Sequence, residues 1–163
     1  MIQRQQLTKP AKANFTTDCA PETQDTSGPL EVVVLFTDVQ GTLRALKTAA
    51  ELARNLNGRI RLLAPQVVPY PLSLDHPQVS NDFNQKRFQT LAANGSAPVG
   101  IDTRVEMCWC RDRDTALCQA LEPEALVVIG ARRSWWPSHE KNLATKLRRK
   151  GHHVILVNSE RAK

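Results

Sequence analysis

Apolar runs and helical repeats alternate along most of the chain. Short runs rich in β-branched and apolar residues predict five strands, at residues 31–37, 59–64, 101–109, 125–129 and 153–157. Between them, apolar residues spaced three and four apart predict four helices, near residues 43–57, 81–94, 114–122 and 138–150. Strict alternation of this kind predicts a doubly wound α/β fold, a five-stranded parallel sheet with helices on both faces and right-handed crossovers.

The patterns inside these segments refine their places in the fold. Residues 31–37 are continuously apolar, as in a strand covered on both faces, whereas residues 101–109 alternate apolar and polar, which predicts an edge strand. Residues 38–42 are expected to form a turn. Gly58 and Gly151 are predicted to cap the ends of the first and last helices, and Asp114 to cap the start of the third.

Composition divides the chain into three parts. Residues 1–29 are polar with little periodicity and predict a flexible tail, residues 30–158 form the α/β domain, and residues 159–163 form a short basic tail. The first 29 residues contain no apolar core of a signal peptide, and no run of the sequence is long enough to cross a membrane. We therefore expect a cytoplasmic protein without membrane contact.

Positive charge is concentrated at the C-terminal end. The net charge is +6, and residues 130–163 carry nine Lys or Arg against Glu140 and Glu160. Such a region favours an anionic partner, but a solvated helix with basic residues near its C-terminus gives the same pattern. Nucleic acid is not the expected partner. Weak nucleic-acid binding through the basic C-terminal third is kept as a further alternative, and its affinity would fall steeply with salt.

The residue types needed for catalysis or metal binding do not form a recognisable set. The four cysteines, at positions 19, 108, 110 and 118, lack the spacing of a zinc site, and no histidine pair is placed to chelate on a helix. Cys108 and Cys110 lie in the third predicted strand, and we expect their side chains to point to opposite faces. No nucleophile elbow, HExxH motif or phosphate-binding P-loop occurs. The sequence predicts neither an enzyme nor a bound metal or cofactor.

Several stretches together resemble the universal stress protein family over roughly residues 30–158. The first strand ends in Thr37-Asp38, the fourth reads Ala125-Leu-Val-Val-Ile-Gly130, and the last helix and strand read Leu143-Ala-Thr-Lys-Leu147 and Val154-Ile-Leu-Val157. The resemblance implies strand order 3-2-1-4-5 and a homodimer made through the last strand, where Val154 and Leu156 would contact the partner. In the nucleotide-binding branch it implies that Asp38 and the end of the second strand, at Val68, flank adenosine.

The chain departs from the family where the phosphates would bind. The family loop, Gly-x2-Gly-x9-Gly-[Ser/Thr], keeps Gly130, but Arg133 replaces the second glycine and Glu140-Lys141 replaces the final pair. Glycines in such loops let backbone N–H groups approach phosphate oxygens, and a glutamate there would repel them. We therefore expect no ATP binding in the family manner. Arg132, Arg133 and Lys141 could instead hold a small anion, or Arg133 could fill the space or pair with Glu140.

Two adjacent tryptophans in the same loop, Trp135 and Trp136, add a contact surface. One is expected to pack on the sheet edge and the other to anchor a partner, since tryptophan is enriched at interface hot spots. Asp38 has two interpretations: it accepts a hydrogen bond from a ligand, or it caps the turn that follows it. The leading hypothesis is a dimeric regulatory or interaction protein of the universal-stress type, possessing an unknown protein partner. The alternative is binding of a small ligand or phosphate anion at the Gly130 loop.

Overall fold

The computed structural model describes residues 30–74, 81–96, 100–131 and 138–158. Strands and helices alternate through these ranges, and each helix joins two strands. The elements are β1 (Glu31–Leu35), α1 (Val39–Asn55), β2 (Arg59–Val67), α2 (Asn81–Ser96), β3 (Thr103–Cys110), α3 (Arg113–Ala120), β4 (Leu126–Ala131), α4 (His139–Arg149) and β5 (His153–Asn158).

The strands form one parallel sheet in the order β3-β2-β1-β4-β5. β1 lies at the centre, where Val33 pairs with Arg61 of β2 and with Val127 of β4. The predicted fold class and strand order are therefore confirmed, as is the edge position of the third strand. Because β1 connects outward in both directions, the strand order reverses between β1 and β4, and the carboxyl edge of the sheet at that point is where such folds place their sites.

Two apolar layers cover the sheet. On one face, side chains such as Val32, Val34 and Leu62 pack with the alanine-rich side of α1 and with Phe88 of α2. On the other face, Leu35 and Ile129 pack with α3 and α4. The continuous apolar runs predicted from the sequence follow from this double cover, because both sets of alternating side chains are buried.

Several predicted boundaries differ from the observed ones. The expected turn at residues 38–42 is the first turn of α1, because Asp38 accepts a hydrogen bond from the backbone of Gly41 and so starts the helix at Val39. The C-cap of α1 is Leu56. The residue in the left-handed conformation is Asn57, with φ of 51°, and not Gly58 as predicted. α3 is capped by Asp112, so the prediction of an Asp114 cap is wrong.

The prediction for the third-strand cysteines is also wrong. Cys108 and Cys110 both belong to the apolar layer under α3 and α4, with Cys118 of α3 packed against it. Residues two apart in a strand share a face, so the C-x-C spacing places both thiols on the same side. None of these three cysteines forms a disulfide in the described structure, and Cys108 and Cys110 are buried.

A charged ladder crosses the amino end of the sheet. The guanidinium of Arg61, a buried residue of β2, lies 2.9 Å from a carboxylate oxygen of Glu31 and 3.2 Å from one of Glu106. It also donates a hydrogen bond of 3.2 Å to the carbonyl oxygen of Ala120 at the end of α3. Arg61 therefore links β1, β2 and β3 to α3, and the two carboxylates compensate its positive charge.

Helix length and composition bear on membrane insertion. Within the described residues, no helix is both long and apolar enough to cross a bilayer.

Candidate functional site

The carboxyl end of β1 and the start of α1 form the centre of the candidate site. Asp38 lies three residues after the end of β1, and its Oδ1 accepts a hydrogen bond of 3.0 Å from the Gly41 N–H. This is the geometry of a helix N-cap, in which a carboxylate satisfies a backbone donor that has no partner within the helix. The structure thus gives Asp38 the capping role that the sequence allowed for it.

Gly130, at the end of β4, lies against the first turn of α1. The Thr37 hydroxyl donates a hydrogen bond of 2.9 Å to the Gly130 carbonyl oxygen. A Cβ added at Gly130 would overlap the carbonyl group of Gly41 and lie 2.7 Å from its Cα. Close helix packing therefore requires glycine at this position, whether or not a phosphate binds there.

Two arginines that the sequence reasoning did not single out reach into the same edge. Arg111 follows β3 directly and Arg113 is the first residue of α3, in the sequence Arg111-Asp-Arg113. Arg111 donates to the carbonyl oxygens of Val68, at 2.8 Å, and Leu72, at 2.6 Å. Arg113 donates to the carbonyl oxygen of Phe36, just beyond β1. The signal that could have revealed them was two arginines directly after a strand, at the edge where sites form.

The carbonyl groups at three neighbouring strand ends are therefore all engaged from within the chain. Phe36 follows β1, Val68 follows β2 and Gly130 lies in β4, and each accepts from an arginine or threonine side chain. Val68 is itself buried, and its N–H donates to the carbonyl oxygen of Cys110 at 2.9 Å. Val68 lies at the end of the second strand, as predicted, but its side chain is buried in the interior.

The first turns of α3 and α4 meet beside this edge. Asp114 lies 3.4 Å from the His139 imidazole and 3.6 Å from the Lys146 ammonium, so it joins the two helices and does not cap its own. Ser138 caps α4 by accepting a hydrogen bond of 3.3 Å from the Lys141 N–H. The other residues predicted for this loop, Arg132, Arg133, Trp135 and Trp136, lie outside the described residues.

Two ionisable groups have shifted pKa values with clear causes. Hydrogen bonds from the side chain and backbone of Thr115 lower the pKa of Asp112, the cap of α3. Burial, with a smaller contribution from the Lys150 ammonium, lowers the pKa of His152, which follows α4. His152 is 8% exposed, and its Nδ1 has no hydrogen-bond partner among the described residues. The part of the chain that the structure describes contains no cluster of three or more His, Cys, Asp or Glu able to hold a metal ion.

The strand predicted to form the dimer contact lies at the sheet edge opposite β3. The four apolar residues of β5 are half-buried, and Val154 and Leu156 pack against the layer under α4. Ile155 and Val157 pack against the opposite layer. Both faces of β5 thus contribute to the core, and in the described chain it pairs with β4.

The architecture defines a class of protein: a single parallel α/β sheet of order 3-2-1-4-5 whose strand order reverses between the first and fourth strands. Comparison with solved structures shows that this is the universal stress protein fold. A universal stress family protein from Burkholderia pseudomallei matches with a TM-score of 0.55 and 16% identity, over 83% of this chain and 100% of its own. One from Archaeoglobus fulgidus matches with a TM-score of 0.56 and 16% identity, over 78% of this chain and 93% of its own.

A third similar structure carries a nucleotide. It is a universal stress protein in complex with cAMP, with a TM-score of 0.51 and 16% identity, over 78% of this chain and 95% of its own. No protein-family model matches the sequence, and no curated protein does. The fold of the predicted family is therefore confirmed by structure, at an identity where fold is all that the likeness establishes.

Proposed function

We propose that this chain is a UspA-like regulatory protein that acts through contacts with other proteins, without enzymatic activity and without binding ATP in the family manner. The observation that carries the proposal is the internal engagement of the carbonyl groups at three strand ends, by Thr37, Arg111 and Arg113. A nucleobase or ribose entering this crevice needs polar groups of the edge as partners. Two of these three carbonyl groups already accept charge-assisted hydrogen bonds, which are the stronger kind, so a ligand would have to compete there with the guanidinium groups of Arg111 and Arg113.

The charge and glycine content of the loop support the same proposal. Glu140 lies in the first turn of α4, where the family keeps a phosphate-binding pair, and the described α4 start is capped by Ser138 of the chain itself. A phosphate would therefore meet a carboxylate and one backbone donor already in use.

Isothermal titration of the full chain with ATP, AMP and cAMP tests the proposal. cAMP is included because one structural neighbour binds it. We expect no saturable heat at ligand concentrations up to about 1 mM. Any Kd would then exceed about 1 mM, which corresponds to a binding free energy weaker than about 4 kcal/mol. Micromolar binding of any of the three to the wild-type chain would refute it. Arg113→Ala in parallel shows whether releasing the Phe36 carbonyl alone restores binding, with Arg87→Ala on the exposed side of α2 as the matched control.

We further propose a homodimer through β5. Its half-buried apolar residues lie on an edge strand, and long apolar edges are normally covered by another chain or element. Size-exclusion chromatography with light scattering is expected to give twice the 18.2 kDa chain mass. The double change Val154→Glu with Leu156→Glu should give a monomer, while the exposed His153→Glu should not. A wild-type monomer at about 100 μM would contradict this proposal.

The rival proposal is a small anion held by Arg132, Arg133 and Lys141. Lys141 lies in the first turn of α4 at the carboxyl edge, which is a favourable place for an anion. Melting curves measured with phosphate, AMP and other phosphorylated metabolites distinguish this anion-binding proposal from the interaction-protein proposal. A rise in melting temperature that disappears in Lys141→Gln supports the rival, and no change across the panel counts against it.

A further inference from the structure

A cavity lies at the amino ends of β1, β4 and β5, at the edge of the sheet opposite the candidate site. It has a volume of about 430 Å³, within the range of about 300–1,000 Å³ in which other proteins hold small ligands. Its apolar walls come from the first residues of β1 and β4 and from the loop before β4, and they are Leu30, Val33, Pro123, Ala125 and Leu126. The molecule therefore has a concave region with apolar walls that the proposed function does not use.

The charge at this cavity is negative. One wall belongs to the charged ladder, where two guanidinium groups balance two carboxylates, those of Arg59, Arg61, Glu31 and Glu106. Two further carboxylates line the cavity, the half-buried Glu122 and the exposed Glu124, and neither forms an ion pair within the described part of the chain. The basic residues at the end of α4 are not among the residues that line it. The ladder and these two carboxylates together carry a formal charge of −2.

Residues 1–29 join the domain at the wall of this cavity. Leu30 lines the cavity with a side chain that is 46% exposed, and its carbonyl oxygen accepts a hydrogen bond of 2.9 Å from the Arg59 N–H. A tethered segment meets a nearby site at an effective concentration on the order of 1 mM, so contacts too weak to hold a separate peptide are enough to hold it. The cavity is therefore placed to bind this segment in preference to a separate chain.

The sequence of the segment complements the cavity in charge and in hydrophobicity. Residues 1–12 contain three basic and no acidic residues, whereas residues 13–29 contain three acidic and no basic residues. Leu7 lies between the basic Arg4 and Lys9. An apolar side chain flanked by cations matches apolar walls flanked by carboxylates. An extended residue spans up to about 3.3–3.6 Å, so residues 13–29 are a sufficient connection between the basic stretch and Leu30.

We propose that residues 1–12 dock on this cavity of their own chain. The Leu7 side chain packs against the apolar walls, and the basic side chains on either side of it approach the carboxylates of Glu122 and Glu124. The docked segment covers the cavity, which then opens only to a ligand or partner that competes for the same carboxylates. The inference is independent of the proposed function, because the cavity and the candidate site lie at opposite edges of the sheet.

Trypsin cleavage after Lys12 in the full chain tests the docking. Where docking and release are fast compared with cleavage, the cleavage rate follows the fraction of chains in which the segment is released. The double change Glu122→Gln with Glu124→Gln should raise the rate about tenfold, as for a segment that is docked about nine-tenths of the time. Leu7→Ala should raise the rate in the same direction. The matched control is Glu51→Gln, at an exposed glutamate of α1, which should leave the rate unchanged.

Crosslinking of the wild-type chain keeps the test independent of any variant. A carbodiimide joins a lysine amine to a carboxylate that it contacts, so mass spectrometry should find peptides that link Lys9 or Lys12 to Glu122 or Glu124. Links to the exposed Glu51 should be absent or about tenfold weaker. A mixture of ¹⁴N and ¹⁵N protein shows whether the linked residues belong to one chain.

Three results would overturn the proposal. The first is an equal cleavage rate in wild type and in the double variant. The second is a yield of crosslinks at Glu51 as high as at Glu122 and Glu124, which would show contact without a preferred site. The third is linked peptides that carry both isotopes, which would show that the segment binds a second copy of the chain. Nucleotide binding in the titration would refute the proposed function and leave this docking untouched.

Discussion

Replacing Gly130 by alanine tests why glycine stands at the end of β4. The added Cβ would overlap the Gly41 carbonyl group and lie 2.7 Å from the Gly41 Cα, and both belong to backbone that cannot rotate away. Overpacking of a tight interior costs typically about 1–3 kcal/mol, and a clash with backbone falls at the upper end, so we expect a loss of about 3 kcal/mol. For a domain of this size that lowers the melting temperature by about 10 °C.

Urea denaturation followed by far-ultraviolet circular dichroism measures this loss, as a lower midpoint with an unchanged slope. The matched control is Gly41→Ala, across the same contact. Its Cβ would lie 3.0 Å from the Thr37 hydroxyl and from Oδ2 of Asp38, and 3.1 Å from the Gly130 carbonyl oxygen, so these neighbours would have to move by only a few tenths of an ångström. Alanine also favours a helix over glycine by about 1 kcal/mol, so this variant should stay within about 1 kcal/mol of wild type.

The result distinguishes two roles for Gly130. If glycine were needed there only to let a phosphate approach, the unliganded chain would tolerate alanine. A loss below about 0.5 kcal/mol for Gly130→Ala would therefore refute the packing explanation, since substitutions at the surface that disturb no specific contact usually change stability by no more than that.

Three further predictions concern stability. His152 has a folded-state pKa below its unfolded value, so its contribution to the free energy of unfolding is present above about pH 6.5 and is lost as the pH falls. Between pH 7.5 and 5 the stability of His152→Gln should therefore fall less steeply than that of wild type, and equal slopes would contradict this. Arg61→Met should cost about 3 kcal/mol in urea denaturation, because it removes the cation from the half-buried carboxylate of Glu106 and leaves Glu31 paired with Arg59 but not with Arg61; a loss below about 1 kcal/mol would show that the ladder is dispensable. Asp38→Ala should cost about 1 kcal/mol, and Asp38→Asn much less, since asparagine also caps helices; equal losses would argue against capping as the role of Asp38.

The alternation of apolar runs and helical repeats was enough to predict the fold class, whereas the strand order followed from the family resemblance. The continuous apolar run of β1 and the alternating pattern of β3 are properties of single segments, and they correctly indicated a strand covered on both faces and an edge strand. The last helix and strand were also found within one residue of their observed ends. These features depend on residues close together in the sequence.

The contacts at the candidate site depend on residues far apart. Thr37 and Gly130 are joined by one hydrogen bond, and Arg113 reaches the end of β1 from the start of α3. No local pattern specifies such a pair, so the packing of Gly130 against the first turn of α1 could not be predicted from the sequence. The choice of Asp112 over Asp114 as the α3 cap is similar, because Asp114 is drawn to partners on α4.

The position of β1 between β2 and β4 has a consequence for synthesis of the chain. One side of β1 pairs with β2, which follows soon after it, but the other side pairs through Val32 with Leu126, which emerges from the ribosome much later. Until then, the growing chain carries an apolar strand with one backbone edge unpaired. Unpaired edges recruit other strands, and chains fold slowly when distant segments must meet. A chaperone that shields β1 during translation would therefore be expected to increase the yield of folded protein.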